Sequence, residues 1–187
     1  MTGAPSVGAA DAEMRDLLLA ALPALRAFAF SLTRDPDRSD DLVQDTLVRA
    51  WSKADRFQRG TNLTAWLFTI LRNLFYSEQR KRRREVEDAD GALAARLTTL
   101  PDQEAHLELT IFQAALAGLP ANQREALVLV GAQNFTYEEA AEICGVAVGT
   151  IKSRVSRARA RLVEVLGMSG PDDLGTDAAT LAALDGA

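Results

Sequence analysis

The sequence predicts an all-α protein built from two small helical domains joined by a flexible linker. Apolar residues recur at intervals of three and four over long stretches, as they do on one face of an α-helix. No stretch alternates apolar and polar residues as a β-strand would. Between the two helical blocks lies EVEDADGALAARLTTLPDQ, residues 85–103, which has acids, a glycine, a proline and no aromatic residue. That composition is typical of a linker.

The first helical block covers residues 11–84 and follows a Gly- and Ala-rich arm, residues 1–10. The sequence Asp35-Pro36-Asp37 interrupts its apolar pattern. Ser39-Asp40-Asp41 then offers capping oxygens and negative charge, which predicts that a helix starts there. A third helix is predicted from about Thr64 to Arg83.

The second block covers residues 104–167 and precedes an acidic tail, residues 168–187. It contains a short helical pattern, YEEAAEIC, which directly follows Thr136. Glu139, within this pattern, lies three residues after Thr136, which is the spacing of a capping box. Gly145 follows and supplies the positive φ that a tight turn needs. A basic helix comes next, so the order of elements predicts a helix-turn-helix motif.

The composition argues against several classes of function. The 187 residues include 21 Lys+Arg and 26 Asp+Glu, a net charge of −5, which argues against a protein that coats nucleic acid indiscriminately. One cysteine, Cys144, and one histidine, His106, argue against a disulfide framework, a metal cluster and a histidine-based catalytic site. We expect no catalytic residue, metal, cofactor or small-molecule substrate. With no apolar run of membrane-spanning length and no secretion signal, we expect a cytoplasmic protein without membrane insertion.

The basic helix, GTIKSRVSRARAR, has five basic residues in thirteen and no acid. On a helical wheel one side is apolar, and the opposite side carries short or hydrogen-bonding residues with long cations beside them. A helix in a DNA major groove needs this arrangement, because short polar groups reach base edges and cations reach phosphates. A solvated basic helix on an ordinary bundle is the alternative. The candidate duplex-binding residues are Lys152, Ser153, Arg154, Ser156, Arg157 and Arg161.

A second candidate surface lies on the third helix, AWLFTILRNLFYSEQRKRRR. The wheel buries Leu67, Ile70, Leu71 and Leu74 and turns amide, hydroxyl, aromatic and guanidinium groups outward. Such groups suit unstacked bases, and the basic run at the end of the helix suits phosphates. An amphipathic core helix with a basic C-terminal end explains the same pattern equally well.

A protein that reads duplex DNA with one block and holds a melted strand with the other would be a promoter-recognition factor. An alternative is a helix-turn-helix regulator with an N-terminal dimerisation block, which would bind palindromic sites without polymerase. An enzyme acting on nucleic acid is a third class, but the sequence offers no metal cluster or acid–base constellation for it.

Three segments, DDLVQDTLVRAW, GTNLTAWLFTILRN and YEEAAEICGVAVGTIKSRVSRARARL, resemble the extracytoplasmic-function (group IV) sigma factors of bacterial RNA polymerase. The resemblance covers roughly residues 15–166 in the family's order and spacing. The sequence LRNLFYSEQRKRRREVED is more narrowly similar to the alphaproteobacterial general-stress branch. The first block would then be a sigma-2-like domain and the second a sigma-4-like domain that reads the −35 element.

The resemblance also implies site residues and partners. The partners would be core polymerase (its β′ clamp helices and β flap), promoter DNA and an anti-sigma factor. Core polymerase would contact Asp41, Gln44, Asp45 and Trp51. Asn73 would take a flipped base of the melted −10 element. The other candidate −10 residues are Trp66, Phe68, Thr69, Arg72, Tyr76 and Arg80.

Two positions depart from the family pattern. Ala147 stands where relatives often have Ser or Pro at the start of the recognition helix, so its cap would come from Thr150 or from a phosphate. Ser156 stands where many relatives have a larger residue, which leaves the −35 base preference open.

Overall fold

A computed structural model describes residues 7–58, 60–87 and 104–168. These residues form helices and connecting turns, with no strand among them, so the predicted all-α class is confirmed. The eight α-helices are α1 (Val7–Ala20), α2 (Leu22–Thr33), α3 (Pro36–Trp51), α4 (Leu63–Glu87), α5 (Glu104–Ala117), α6 (Ala121–Leu127), α7 (Tyr137–Cys144) and α8 (Val148–Leu166). A 3-10 turn spans Ala54–Arg56, and a π-helical turn, Val128–Ala132, continues α6.

Several boundaries differ from the predicted ones. The helix expected to start at Ser39-Asp40-Asp41 starts at Pro36 instead, because the Asp35 side chain accepts the N–H of Arg38 at 3.1 Å. Proline is well suited to the first turn of a helix, since it has no N–H to leave unpaired. The helix α4 begins close to its expected start and continues to Glu87, into the segment predicted as a linker.

The structure describes only part of the segments that flank the two predicted domains. The helix α1 begins at Val7, inside the predicted N-terminal arm. Most of the predicted linker, residues 88–103, and most of the predicted acidic tail, residues 169–187, lie outside the described residues.

The first domain is built on α2, α3 and α4, which pack against one another, and the second on α6, α7 and α8. The side chain of Phe28 in α2 stacks on that of Phe68 in α4, with ring centroids 4.6 Å apart. Burial of these large apolar side chains is the main stabilising term of such a small domain.

The two domains pack directly against each other. The helix α4 contacts α7, and α2 contacts α6. Phe135, which precedes α7, meets the ring of Phe68 edge-on at 5.1 Å. The sequence suggested a linker that permits many placements, whereas in the structure the cores of the two domains are continuous.

Candidate nucleic-acid and polymerase surfaces

The helix-turn-helix motif forms as the sequence predicts. Thr136 Oγ1 accepts the N–H of Glu139 at 3.1 Å, and Glu139 Oε2 accepts the N–H of Thr136 at 2.9 Å, which completes the capping box of α7. Gly145 ends α7 with φ of 65°, the left-handed conformation expected of it. The backbone N–H of Thr136, and after it the amide of Asn62, lower the pKa of Glu139.

The apolar side of α8 is buried as predicted, and the opposite side is open to solvent. Of the six candidate duplex-binding residues, Ser153 and Arg154 are half-buried. Ser153 Oγ donates to the carbonyl of Thr150 at 2.9 Å. Arg154 has its Nη1 buried without a hydrogen-bond partner among the described residues. The four exposed candidates are Lys152, Ser156, Arg157 and Arg161.

The start of α8 lacks a side-chain cap. Ala147 is the N-cap residue and makes no side-chain hydrogen bond to the helix, and Thr150 only donates its own N–H to the carbonyl of Ala147 at 2.9 Å. The expectation that Thr150 supplies the cap is therefore not met by these contacts. The first N–H groups of the helix remain available to an anion such as a DNA phosphate.

Only part of the α4 face that was predicted to point outward is exposed to solvent. Asn73 and Arg80 are exposed. Thr69 Oγ1 donates to the carbonyl of Ala65 at 2.9 Å, and Trp66 packs on Phe57 with ring centroids 5.4 Å apart. Ile70 and Leu74, expected in the core, are half-buried.

Phe68, named among the −10 candidates, has no exposed surface. It lies between Phe28 of its own domain and Phe135 of the other. In this conformation Phe68 is a core residue that DNA cannot reach.

Two further −10 candidates, Arg72 and Tyr76, bind a carboxylate from the second domain. Glu125 Oε1 accepts the Nε–H of Arg72 at 2.7 Å, and Glu125 Oε2 accepts the hydroxyl of Tyr76 at 3.2 Å. The guanidinium carbon of Arg72 lies 4.7 Å from the centre of the Tyr76 ring. Glu125 has no exposed surface. Sequence reasoning missed it, because one glutamate in an amphipathic helix gives no sign that its partner is distant in the chain.

The electrostatics of this cluster follow from its burial. Burial, followed by the Glu125 carboxylate, raises the pKa of Tyr76 to about 12. Burial opposes the charge on Arg72, but the attraction of Glu125 outweighs it and raises the pKa of Arg72. Burial first, and then Glu125, raise the pKa of the Cys144 thiol to about 12, and this cysteine is a buried core residue.

Arg124, beside Glu125, was also missed and is 5% exposed. Its guanidinium donates to the carbonyls of Ala117 and Leu119 at 3.1 Å each and, in the first domain, to that of Ser31. The carbonyl of Ala117 lies at the end of α5, where the last carbonyls of a helix have no partner within it, and both Arg124 and Arg34 donate to it. Burial and the nearby charge of Arg34 lower the pKa of Arg124 to about 10.

The polymerase-binding candidates fall on two faces of α3. Asp41, Gln44 and Asp45 line a polar groove against Glu78 and Arg82 of α4. Trp51 is 49% exposed and lies elsewhere, in an apolar groove between α1 and α3. The structure therefore groups three of the four residues and separates the fourth. The other residues of the apolar groove include Leu18, Leu19, Leu47 and Val48.

The described residues contain no cluster of three or more His, Cys, Asp or Glu side chains able to hold a metal ion. No single helix in this part of the chain is long and apolar enough to cross a membrane. The bent pair of α1 and α2 passes that test only jointly, by length and composition.

Comparison with known proteins identifies the class. Residues 17–85 match Sigma-70 region 2, and residues 109–162 match Sigma-70 region 4. The chain therefore has the two domains with which sigma factors give RNA polymerase its promoter specificity.

Within that class, the chain belongs to the extracytoplasmic-function (ECF) sigma factors. It is 61% identical over 173 residues to the ECF RNA polymerase sigma factor EcfG of Rhodopseudomonas palustris, covering 92% of this chain and 96% of that protein. It is 31% identical to SigM of Bacillus subtilis over 137 residues, covering 72% and 83% of the two chains. The predicted family is confirmed, and the similarity to EcfG fits the general-stress branch.

Solved structures agree with this assignment. The sigma factor RpoE from Bartonella quintana, crystallised with the anti-sigma factor NepR, superimposes with a TM-score of 0.77 at 57% identity, covering 84% of this chain and 98% of that one. CnrH, solved with the cytosolic domain of CnrY, gives a TM-score of 0.56 at 29% identity over 83% and 86% of the two chains.

Proposed function

We propose that this sigma factor directs core polymerase in the cytoplasm to stress-response promoters, with a separate surface for each promoter element. The region-4 domain reads the −35 duplex through the open face of α8, and the region-2 domain holds the melted −10 strand on α4. The exposed face of α8, on a helix whose opposite side is fully packed, is the observation that carries this assignment. The −35 residues are Lys152, Ser153, Arg154, Ser156, Arg157 and Arg161.

The −10 assignment centres on Asn73, whose side chain is exposed in the middle of α4 and can hydrogen-bond a base edge. Arg80 is exposed two turns later and would meet a phosphate. Trp66, Thr69, Arg72 and Tyr76 are assigned to the same surface. Arg72 and Tyr76 would have to leave Glu125 to meet DNA, and Phe68 would have to leave the core.

Polymerase docking is assigned to α3. Asp41, Gln44 and Asp45 present carboxylate and amide groups along one groove, where basic groups of the β′ clamp helices can pair with them. The β flap would contact the region-4 domain. Trp51 would form a separate apolar contact. By analogy with the relatives solved with NepR and CnrY, an anti-sigma factor would hold the protein inactive.

Run-off transcription with purified core polymerase on a genomic promoter library tests the proposal. Transcripts from promoters that share −35 and −10 sequences are the expected result. A purified chain that does not bind core polymerase in a pull-down would contradict it and would favour the dimeric helix-turn-helix regulator.

Asn73→Ala is expected to lower run-off from intact promoters about tenfold, because it removes one base contact of about 1–3 kcal/mol, while core binding stays unchanged. Gln79→Ala, an exposed amide on another side of α4, is the control. Wild-type transcription by Asn73→Ala from both an intact promoter and a premelted bubble would refute the −10 role.

Arg157→Ala is expected to lower run-off from −35-dependent promoters by a similar factor, since a specific arginine contact contributes about 1–3 kcal/mol. Arg56→Ala removes the same charge from an exposed turn of the first domain and serves as the control. An unchanged footprint over the −35 element would exclude Arg157 from the duplex surface.

A further inference from the structure

The Ser153 hydroxyl, on the face of α8 proposed to read the −35 duplex, has its proton engaged within the protein. Ser153 Oγ donates to the carbonyl of Thr150, three residues earlier in the same helix, at 2.9 Å. A serine hydroxyl has one proton to donate and two lone pairs that accept. Ser153 is half-buried, so what it still offers to a ligand is a hydrogen-bond acceptor.

This internal bond biases the hydroxyl towards accepting when DNA binds. To donate to a base, the hydroxyl would first have to leave the Thr150 carbonyl, so one hydrogen bond would only replace another. To accept from a base, it keeps the internal bond and gains a second one. A hydroxyl that already donates is also a better acceptor, because hydrogen bonds in a chain polarise one another.

The other candidates on this face differ from Ser153 in what they can offer. Ser156 is exposed, and within the part of the chain that the structure describes its hydroxyl has no internal acceptor. Ser156 can therefore donate or accept, and it does not by itself select one kind of base edge. The remaining candidates are cations, which have donors and no acceptor: Lys152, Arg154, Arg157 and Arg161.

An acceptor distinguishes the bases in the major groove of DNA. Adenine N6 and cytosine N4 donate there, whereas guanine and thymine present the acceptors O6 and O4. Ser153 precedes Ser156 by three residues and Arg157 by four, the spacing that places side chains on one face of a helix. Exchanging the two bases of the pair that Ser153 faces would therefore set one acceptor against another.

We propose that Ser153 is a specificity-determining residue of the −35 surface and accepts a hydrogen bond from the exocyclic amino group of an adenine or a cytosine. The inference rests on the proposed −35 role of α8 and adds the chemical class of the base that this residue takes. Arg157, one turn later, only donates, so it takes a base that accepts. The −35 base preference is then set at Ser153 more than at Ser156.

Base analogues that lack a single group test the polarity of this contact. The holoenzyme, assembled from core polymerase and the full chain, transcribes run-off templates of one strong promoter. In each template one adenine or cytosine of the −35 element is replaced by unsubstituted purine or 2-pyrimidinone, which lacks the amino group. At one position we expect wild-type run-off to fall about fivefold, the effect of one lost hydrogen bond.

Ser153→Ala shows whether that loss belongs to Ser153. Alanine is the strongest helix former, so the variant keeps α8. We expect it to transcribe the unmodified template about fivefold less than wild type does, with no further loss when the amino group is removed. Removing the amino group also weakens the base pair, but it does so equally for every variant.

Ser156→Ala is the matched control, because it removes a hydroxyl from the same face three residues away. Whatever its own level of run-off, it should keep the wild-type sensitivity to the amino group. The inference would be overturned by a Ser153→Ala variant with full wild-type sensitivity at every adenine and cytosine of the −35 element. A loss with 7-deazapurines, which lack the N7 acceptor, that disappears in Ser153→Ala would also overturn it, since Ser153 would then donate.

Scrambling the −35 element tests the proposed function alone. Wild-type run-off that is unchanged by scrambling would mean that α8 does not read this element. The change in sensitivity between wild type and Ser153→Ala tests the base contact alone, so the two failures are distinguishable.

Discussion

The two candidate DNA-binding surfaces lie on helices with the same amphipathic pattern, but the two surfaces differ in solvent exposure. Both α4 and α8 have one apolar side in the core and polar and basic groups on the other. The polar side of α8 faces solvent, with Lys152, Ser156 and Arg157 exposed. The polar side of α4 is partly covered by the other domain, where Glu125 binds Arg72 and Tyr76.

The difference shows that amphipathicity identifies a surface without revealing whether it is accessible. An apolar stripe locates the core side of a helix, but a polar side can be hydrated, bound to a ligand or bound to another domain. On α4 the polar side is bound by a buried charge from the second domain. Variants that weaken the packing of the second domain on α4 should therefore change the accessibility of the polar side of α4. They should leave the accessibility of the polar side of α8 unchanged.

The largest expected effect comes from Arg124, which fastens α6 to both α5 and α2. Arg124→Ala removes the side-chain donor from the carbonyls of Ser31 and Leu119 and should lower the free energy of unfolding by about 3–5 kcal/mol, measured by urea denaturation. Arg34 donates to the same Ala117 carbonyl at 3.2 Å but is exposed, so Arg34→Gln should cost less than about 1 kcal/mol. Equal losses in the two variants would mean that the buried carbonyls do not depend on Arg124.

A smaller expected effect distinguishes the interface between the two domains from the core of the first domain. Phe28 and Phe135 both contact the ring of Phe68, from the same domain and from the other domain respectively. Each Phe→Leu change should lower the free energy of unfolding by about 1–2 kcal/mol. Only Phe135→Leu should also increase binding of the −10 single strand. The same increase in Phe28→Leu would show that general loosening, rather than domain separation, exposes α4.

The smallest expected effect concerns the ionisation of Tyr76. In a Tyr137→Phe background Tyr76 is the remaining tyrosine of the two in the chain. Its phenolate absorbance should appear with a pKa of about 12, against the ordinary value of 10.0, and adding Glu125→Gln should move that pKa downward. Because the folded-state pKa is raised, the stability contributed by Tyr76 is present below pH 10 and is lost as the pH rises towards 12. An unchanged pKa in the double variant would exclude Glu125 as a cause of the shift.

Much of the fold was predictable because its signals are local. The turn at Gly145, the capping box of Thr136 and Glu139 and the core stripe of α8 each depend on residues a few positions apart. The start of α3 was misplaced because Asp35-Pro36 fits a loop as well as a helix start, and only the bond to Arg38 decides between them.

The interface between the domains could not be predicted from these patterns. Glu125 lies far from Arg72 and Tyr76 in the chain, and Arg124 lies far from Ser31. No periodicity links such positions, because their pairing is set by how two separately folded domains meet. Phe68 illustrates the consequence, since the family resemblance placed it near DNA and the structure places it in the shared core.

The packing of the two domains against each other is tested most directly by measuring the distance between them in the free protein and on core polymerase. Spin labels at exposed positions Thr61 and Glu138, beside the Asn62–Glu139 contact, on a Cys144→Ala background, would report it by pulsed electron paramagnetic resonance. We expect one short distance in the free protein and a long one in the complex with polymerase and promoter. The same distribution of label-to-label distances in both states would contradict this packing of the domains in the free protein. A broad distribution of long distances in the free protein would also contradict it.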